Sequence, residues 1–518
     1  MYPQMAGPGD SLRRERTHRR GARYAAAALA LLTFLPASAF AADPAIDREI
    51  SAALASLPHP RTRVSACVVD LADGRVLFEK NADTALMPAS CMKVLTMAAA
   101  LRELGPGFAF ETTLATDGSN LFVIGDGDPA FGDEKLHRAN EAEITSDFDR
   151  WADGLRIRGV TSVAGDLVID ESVFDDTLLH PSWEPDDLGK WYAAPVGGLN
   201  FNDNCLDITV EPAAGRDAPV LVTVQPVTSL VHIINKCRSG GEGTPVLHHS
   251  PGTLEYTISG RCAKRWPFAS VAFPDPGLLF AESLRTALGK KGIAIAGTVR
   301  RQRIRDPSGT IPTQLTVLAK RSTPLSDVLQ RAGRDSQNLF AECLLKRTGC
   351  AWAVRAGRPD PQGSWALGGE AVFDALRRAG IPTVGLAVAD GSGLSRDNAC
   401  TARQLALLLA HINGQPFGDL FRDSLSVAGA EGSLRRRLKD VAGRVQAKTG
   451  TMTGVRGLAG YVSDDARPRF AFAVLFNGYS GPSTPYKKIQ DEICRILVDA
   501  AMPAESAAWK GNPVPRKR

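Results

Sequence analysis

Apolar positions recur with a helical period over residues 46–57. They then alternate through residues 63–70 and 75–79 around an Ala72-Asp73-Gly74 turn, the signature of a hairpin. Residues 91–104 form an apolar helix pattern stopped by Gly105-Pro106-Gly107. At the far end of the chain, strand patterns at 446–448, 457–462 and 470–477 surround a turn at Ser463-Asp464-Asp465. An amphipathic helix over 484–501 then places Ile489, Ile493 and Leu497 on one stripe. Two N-terminal strands and about three C-terminal ones predict one antiparallel sheet with helices on its faces. The two ends of the chain therefore meet in one domain.

The stretch from 108 to 274 has a different texture. β-branched and apolar residues are broken by turn signals at Asp117-Gly118, Gly125-Asp126-Gly127, Gly165-Asp166 and Gly240-Gly241-Glu242-Gly243. One helix fits 145–156, and short strands fit 162–169, 206–210 and 220–223. A helical pattern resumes at Leu278 and runs over 281–291, marking the return to the first domain. The predicted class is α+β: a discontinuous sheet-and-helix domain over 42–107 and 275–501, a mostly-β insertion over 108–274, and a tail over 502–518.

The N-terminus reads as a signal peptide over 1–41. Six arginines from Arg13 to Arg23 precede an apolar run from Tyr24 to Leu35, and small residues follow at Ala37-Ser38-Ala39 and Ala39-Phe40-Ala41, either of which suits cleavage. The run of about 12 residues is short of the roughly 20 that span a bilayer. Export to a periplasmic or other extracytoplasmic space is expected, with membrane association at most peripheral. The formal net charge is +5. Most of it lies in the leader, where six Arg face only Asp10 and Glu15, so it does not argue for nucleic acid. Nine cysteines are spread without a C-x-x-C pair, which argues against a zinc ribbon or a thioredoxin-type site. Cys237 and Cys262 flank a Gly-rich stretch and are the pair expected to bridge. His248-His249 is an isolated pair, so no metal and no cofactor is expected.

Three strings carry candidate chemistry: Ser90-Cys91-Met92-Lys93, Ser336-Gln337-Asn338 and Lys448-Thr449-Gly450-Thr451. Ser90 opens a helix, where unsatisfied N–H groups and the dipole favour a developing alkoxide. Lys93 sits one turn on, beside Val94, Leu95 and Met97, where an inward amine can lose its proton and act as a base. Ser336 and Asn338 lie between two helix patterns, where a loop can aim a hydroxyl and an amide into a cleft. Lys448 is on a strand facing that cleft. Gly450 lets a substrate backbone approach the strand edge, and the Thr449 and Thr451 hydroxyls suit a terminal carboxylate. Taken singly, each string is also a helix cap or a turn. The nearby Arg444 and Arg456 read as solvated strand charges. In combination the strings supply acyl transfer through a serine ester, with 246 positions separating Ser90 from Ser336.

In this order the strings resemble the serine penicillin-recognising enzymes. Within them the chain resembles the D-alanyl-D-alanine carboxypeptidase/endopeptidase branch of low-molecular-mass class C penicillin-binding proteins. Met87-Pro88-Ala89-Ser90, Gly125-Asp126-Gly127-Asp128-Pro129, Gly165-Asp166-Leu167-Val168-Ile169-Asp170, Tyr192-Ala193-Ala194-Pro195 and Asp390-Gly391-Ser392-Gly393-Leu394-Ser395-Arg396 extend the likeness over about 45–501. Gln337 departs from the pattern, where Asp is common. The resemblance implies acylation of Ser90 with Lys93 as base. It gives Ser336 and Lys448 the leaving-group proton, and makes an oxyanion hole of the Ser90 and Thr451 backbone N–H groups. It further implies that Asp170 and Arg396 read the polar end of a stem-peptide side chain. Peptidoglycan stem peptides are the implied partners, with β-lactams as covalent inhibitors. The oligomeric state stays open. A class A β-lactamase shares the strings but brings its second motif much closer to the first. A catalytically idle wall-binding or β-lactam-sensing scaffold is the remaining alternative.

Overall fold

The computed structural model describes residues 44–306, 309–464 and 467–502. The leader, and the tail beyond Met502, lie outside the described residues. The strand Pro468–Asn477 shows how the sequence builds the core. Its Ala471, Ala473 and Leu475 point into one cluster and its Phe470, Phe472, Val474 and Phe476 into another, as the two-residue period of a strand requires. Small side chains face the helices that carry the site, and large ones face the helix pair on the back. This strand lies inside a six-stranded sheet, ordered Ser426–Val427, Val445–Met452, Val455–Ser463, Pro468–Asn477, Arg63–Asp70 and Val76–Lys80. Every neighbouring pair is antiparallel. The helices Pro44–Ala55 and Thr484–Ala501 cover the back face, so the two ends of the described chain do meet.

On the front face the helix Met92–Leu104 is buried at every residue from Met92 to Leu101. A helix apolar all round belongs inside a domain, here between the sheet and the helices Asn338–Arg355, Trp365–Arg378 and Ala402–Asn413. Lys93 is the one charged residue in that buried stretch.

The inserted region is built on a five-stranded mixed sheet, ordered Val299–Arg301, Leu167–Asp170, Leu121–Ile124, Ala109–Thr116 and Thr316–Pro324. Smaller sheets are centred on Cys205–Glu211 and on Glu255–Ser259. The helices Ser146–Ile157 and Pro276–Lys290 pack into the same core as these strands. The return expected near residue 275 therefore falls later. The helix starting at Pro276 and the three strands that follow it still pack or pair within the insertion, and the chain rejoins the first core at the helix Leu325–Gly333. The strand expected over 162–169 is also divided, into Ser162–Val163 and Leu167–Asp170 around Gly165, where Asn120 leaves no room for a Cβ. Cys237 and Cys262 are both free and buried. The register sets Ser239, not Cys237, opposite Cys262, so the expected bridge is not formed.

Candidate active site

The strand Val445–Met452 lies directly on the turn Ala89–Cys91 that carries Ser90. A Cβ added at Gly450 would stand 2.5 Å from the Pro88 carbonyl oxygen and 3.2 Å from the backbone nitrogens of Ser90 and Cys91. Only glycine allows that approach. The close neighbour of Gly450 is thus the chain's own turn, where the sequence reading had placed a substrate backbone. Cys91 helps close the same seam, donating from Sγ to the Lys448 carbonyl at 3.4 Å.

Lys93 is fully buried one helical turn beyond Ser90. Its Nζ donates to Ser90 Oγ at 3.2 Å, to Asn338 Oδ1 at 2.7 Å and to the Ser392 carbonyl at 2.8 Å. Burial holds this amine well below the usual lysine range. The Lys448 charge pushes the same way, against Glu342 and Asp390. A neutral amine in this position presents a lone pair that can take the Ser90 hydroxyl proton.

Lys448 is equally buried and lies on the other side of the site. Its Nζ donates to Ser336 Oγ at 2.8 Å and to the Thr449 carbonyl at 3.0 Å, and burial lowers its pKa to about 8. Ser336 has a left-handed φ of 62°, which turns the chain sharply between the helices Leu325–Gly333 and Asn338–Arg355. The insertion holds that turn in place. Gln337 donates to Asp203 Oδ2 at 2.7 Å and accepts the Asn338 N–H at 2.9 Å, while Asn338 Nδ2 donates to the Tyr192 carbonyl at 2.7 Å. Gln337, the departure from the common pattern, therefore props the turn.

Of the two threonines, Thr449 is nearly buried and donates to Ser433 Oγ at 2.8 Å, whereas Thr451 is exposed. Thr451 accepts a hydrogen bond from Arg456, which stands opposite it in the register. Arg456 is only 5% exposed, so its reading as a solvated charge does not hold. Arg396 is exposed. Its Nη1 lies 3.5 Å from the Thr453 carbonyl and its Nε 3.6 Å from Glu184. Asp170 does not join this group. It is 1% exposed, and its oxygens accept the backbone N–H groups of Ser172, Ile304 and Arg305 at 2.8–2.9 Å. Its carboxylate closes a turn of the insertion, and Glu184 is the insertion acid that faces Arg396.

Two buried acids behind Lys93 were not singled out from sequence. Glu342 accepts the backbone N–H groups of Gly391 and Ser392 and the Trp365 indole N–H, each at 2.8 Å. Burial, and then Asp390, raise its pKa to about 7. Asp390 accepts from Gly393 and Ser395 backbone N–H groups, Trp183 Nε1 and Asn398 Nδ2. Together they fix the 390–395 turn whose Ser392 carbonyl holds Lys93. A lone acid between Phe340, Ala341 and Cys343 was the available signal for Glu342.

The fold is that of the penicillin-recognising serine enzymes. It matches the crystal structure of penicillin binding protein 4 (dacB) from Haemophilus influenzae with a TM-score of 0.70, at 24% identity over 88% of this chain and 99% of that one. In sequence the chain is 32% identical to a D-alanyl-D-alanine carboxypeptidase of Actinomadura sp. (strain R39), over 98% of this chain and 96% of that protein. It is 27% identical to the D-alanyl-D-alanine carboxypeptidase DacB of Haemophilus influenzae, over 87% and 92%. The model of the D-Ala-D-Ala carboxypeptidase 3 (S13) family matches residues 46–498. The chain belongs to that family, and with it to the low-mass class C penicillin-binding proteins.

Proposed function

We propose that this protein hydrolyses D-Ala-D-Ala termini, and the D,D-crosslinks of peptidoglycan, through an ester on Ser90. The observation that carries the reading is Lys93: a buried amine held off its usual pKa, 3.2 Å from the Ser90 hydroxyl. Neutral Lys93 takes the Ser90 proton as Oγ attacks the carbonyl carbon of the penultimate D-alanine. The Ser90 and Thr451 backbone N–H groups receive the charge that develops on the carbonyl oxygen. The C–N bond then breaks, and Ser336, held by Lys448, delivers a proton to the departing amine. Water attacks the ester by the same path and frees Ser90. Asn338 keeps Lys93 aimed, the exposed Thr451 meets the terminal carboxylate while Thr449, its hydroxyl given to Ser433, only braces the strand, and Arg396 with Glu184 meets the substrate's polar side chain.

A β-lactam amide presented to Ser90 gives an ester whose leaving group stays attached, so the adduct persists. The Haemophilus influenzae protein of the same fold is described in complex with a novel β-lactam, which supports this extension. The arginine-rich, then apolar, leader supports action outside the cytoplasm. Among the described residues no helix is long and apolar enough to cross a membrane. The test is D-alanine release from a stem pentapeptide, with Ser90→Ala as control. Wild-type release that the variant lacks supports the reading. No release, or equal release by Ser90→Ala, overturns it.

A further inference from the structure

The loop of the insertion that carries His180, Ser182 and Trp183 grips the 390–396 turn. Ser182 Oγ lies 2.6 Å from Ser395 Oγ and 2.9 Å from His180 Nδ1. Trp183 Nε1 donates at 2.9 Å to Asp390 Oδ2, the oxygen that also accepts the Ser395 backbone N–H at 2.6 Å. One arrangement of protons satisfies every group. His180 Nδ1 accepts the Ser182 backbone N–H at 3.2 Å, and burial outweighs Asp390 and Asp397 to hold this imidazole below its usual pKa. The neutral ring nitrogen is thus an acceptor for the Ser182 hydroxyl as well. The Ser182 oxygen then accepts the Ser395 hydroxyl proton, which leaves the Ser395 oxygen for the Asp397 N–H at 3.1 Å. His180 also packs edge-on against Trp365, with ring centres 5.0 Å apart.

Both contacts converge on Lys93. Ser392, three residues before Ser395 in the same turn, accepts from Lys93 through its carbonyl at 2.8 Å. Trp365 donates to Glu342, the acid that holds the Ser392 N–H. Ser182 is half-buried and Ser395 is 2% exposed, so the link from insertion to turn is a short hydrogen bond largely shielded from water. Such a bond is stronger, and its loss is felt further along the network, than one made in solvent. We infer that Ser182, acting through Ser395, is a positioning residue for the base. The insertion fixes the turn that aims Lys93 at Ser90, and so contributes to acylation from outside the catalytic domain. The inference rests on the acyl-transfer reading of Ser90 and adds a residue bonded to none of the reacting groups.

The experiment follows Ser90 acylation by penicillin and D-alanine release from a stem pentapeptide, well below the melting temperature of each protein. Wild type is compared with Ser182→Ala, Ser395→Ala, the double variant and Ser182→Thr, which keeps a hydroxyl. Each single alanine variant is expected to slow acylation and lower kcat by about three- to thirty-fold, with KM within about two-fold of wild type. The double variant is expected to be no slower than the slower single one, because both remove the same hydrogen bond. Ser182→Thr is expected to recover most of the rate. Wild-type acylation by Ser182→Ala, losses that multiply in the double variant, a rise in KM at unchanged kcat, or a Ser182→Thr as slow as Ser182→Ala overturns the inference. If the alanine variants do not fold, Ser182→Cys, whose thiol is a weaker donor and acceptor, decides by the same rate criterion. Failure of wild type to form any Ser90 adduct or release D-alanine is the failure of the acyl-transfer reading and takes the inference with it. An adduct on wild type that forms equally fast on the variants is the failure of the inference alone.

Discussion

Glu342 and Lys93 never touch, yet one residue joins them: Glu342 accepts the Ser392 backbone N–H at 2.8 Å, and the Ser392 carbonyl accepts from Lys93 at 2.8 Å. The buried acid thus sets the position of the amine that faces Ser90. Both of its oxygens accept N–H donors, so an amide in its place must turn its own NH2 toward one of them. Glu342→Gln is expected to destabilise the protein by about 1–3 kcal/mol and to slow Ser90 acylation. Thermal unfolding and the penicillin acylation rate check both. Unchanged values would mean that the 390–395 turn is held by Asp390 alone.

The two lysines divide the pH dependence. Acylation needs Lys93 neutral, and proton delivery needs Lys448 charged. The rate is therefore expected to rise with pH as Lys93 loses its proton and to fall above about 8 as Lys448 does. A rate profile that stays flat beyond pH 9 would remove Lys448 from the proton path.

Lys448 also leaves a mark on stability. Its pKa falls from 10.5 to about 8 on burial, so between those values the unfolded chain holds a proton that the folded chain lacks, and stability rises with pH across that window. Below pH 8 the folded protein carries the buried ammonium and the full penalty. Lys448→Met is expected to be more stable than wild type by up to about 3 kcal/mol at pH 7, and the gain is expected to vanish toward pH 10.5. Denaturant titrations at the two pH values measure it.

Gly450→Ala tests the seam between strand and turn. The added methyl meets the Pro88 carbonyl oxygen at 2.5 Å and the Ser90 and Cys91 backbone nitrogens at 3.2 Å. A loss of about 1–3 kcal/mol and a marked fall in acylation are expected, read by melting and by penicillin binding. A variant of wild-type rate would show that the turn can retreat without moving Ser90.

The central sheet was legible because its strands alternate so regularly between two cores. Both terminal helices were legible from their apolar stripes. The end of the insertion was not. The stripe of Pro276–Lys290 says that the helix packs, but not on which core, and the strand Thr316–Pro324 is mostly exposed and carries little apolar signal. The convergence of Ser90, Lys93, Ser336, Asn338 and Lys448 followed from motif order. The roles of Asp170, Glu342 and Arg456 depend on burial and cross-strand register, which a motif does not record. The family resemblance gives Asp170 to the substrate, and the strand pattern reads Arg456 as a solvated charge. Three backbone N–H groups in one case, and the place opposite Thr451 in the other, reversed those readings.

The claim on which the rest depends is that Ser90 forms the acyl-enzyme, and intact-mass analysis after mixing with penicillin addresses it directly. The account predicts one lasting adduct per chain, located on a peptide that contains Ser90 and absent from Ser90→Ala. Rapid penicillin turnover with no lasting adduct, or an adduct that forms equally well on Ser90→Ala, would contradict it.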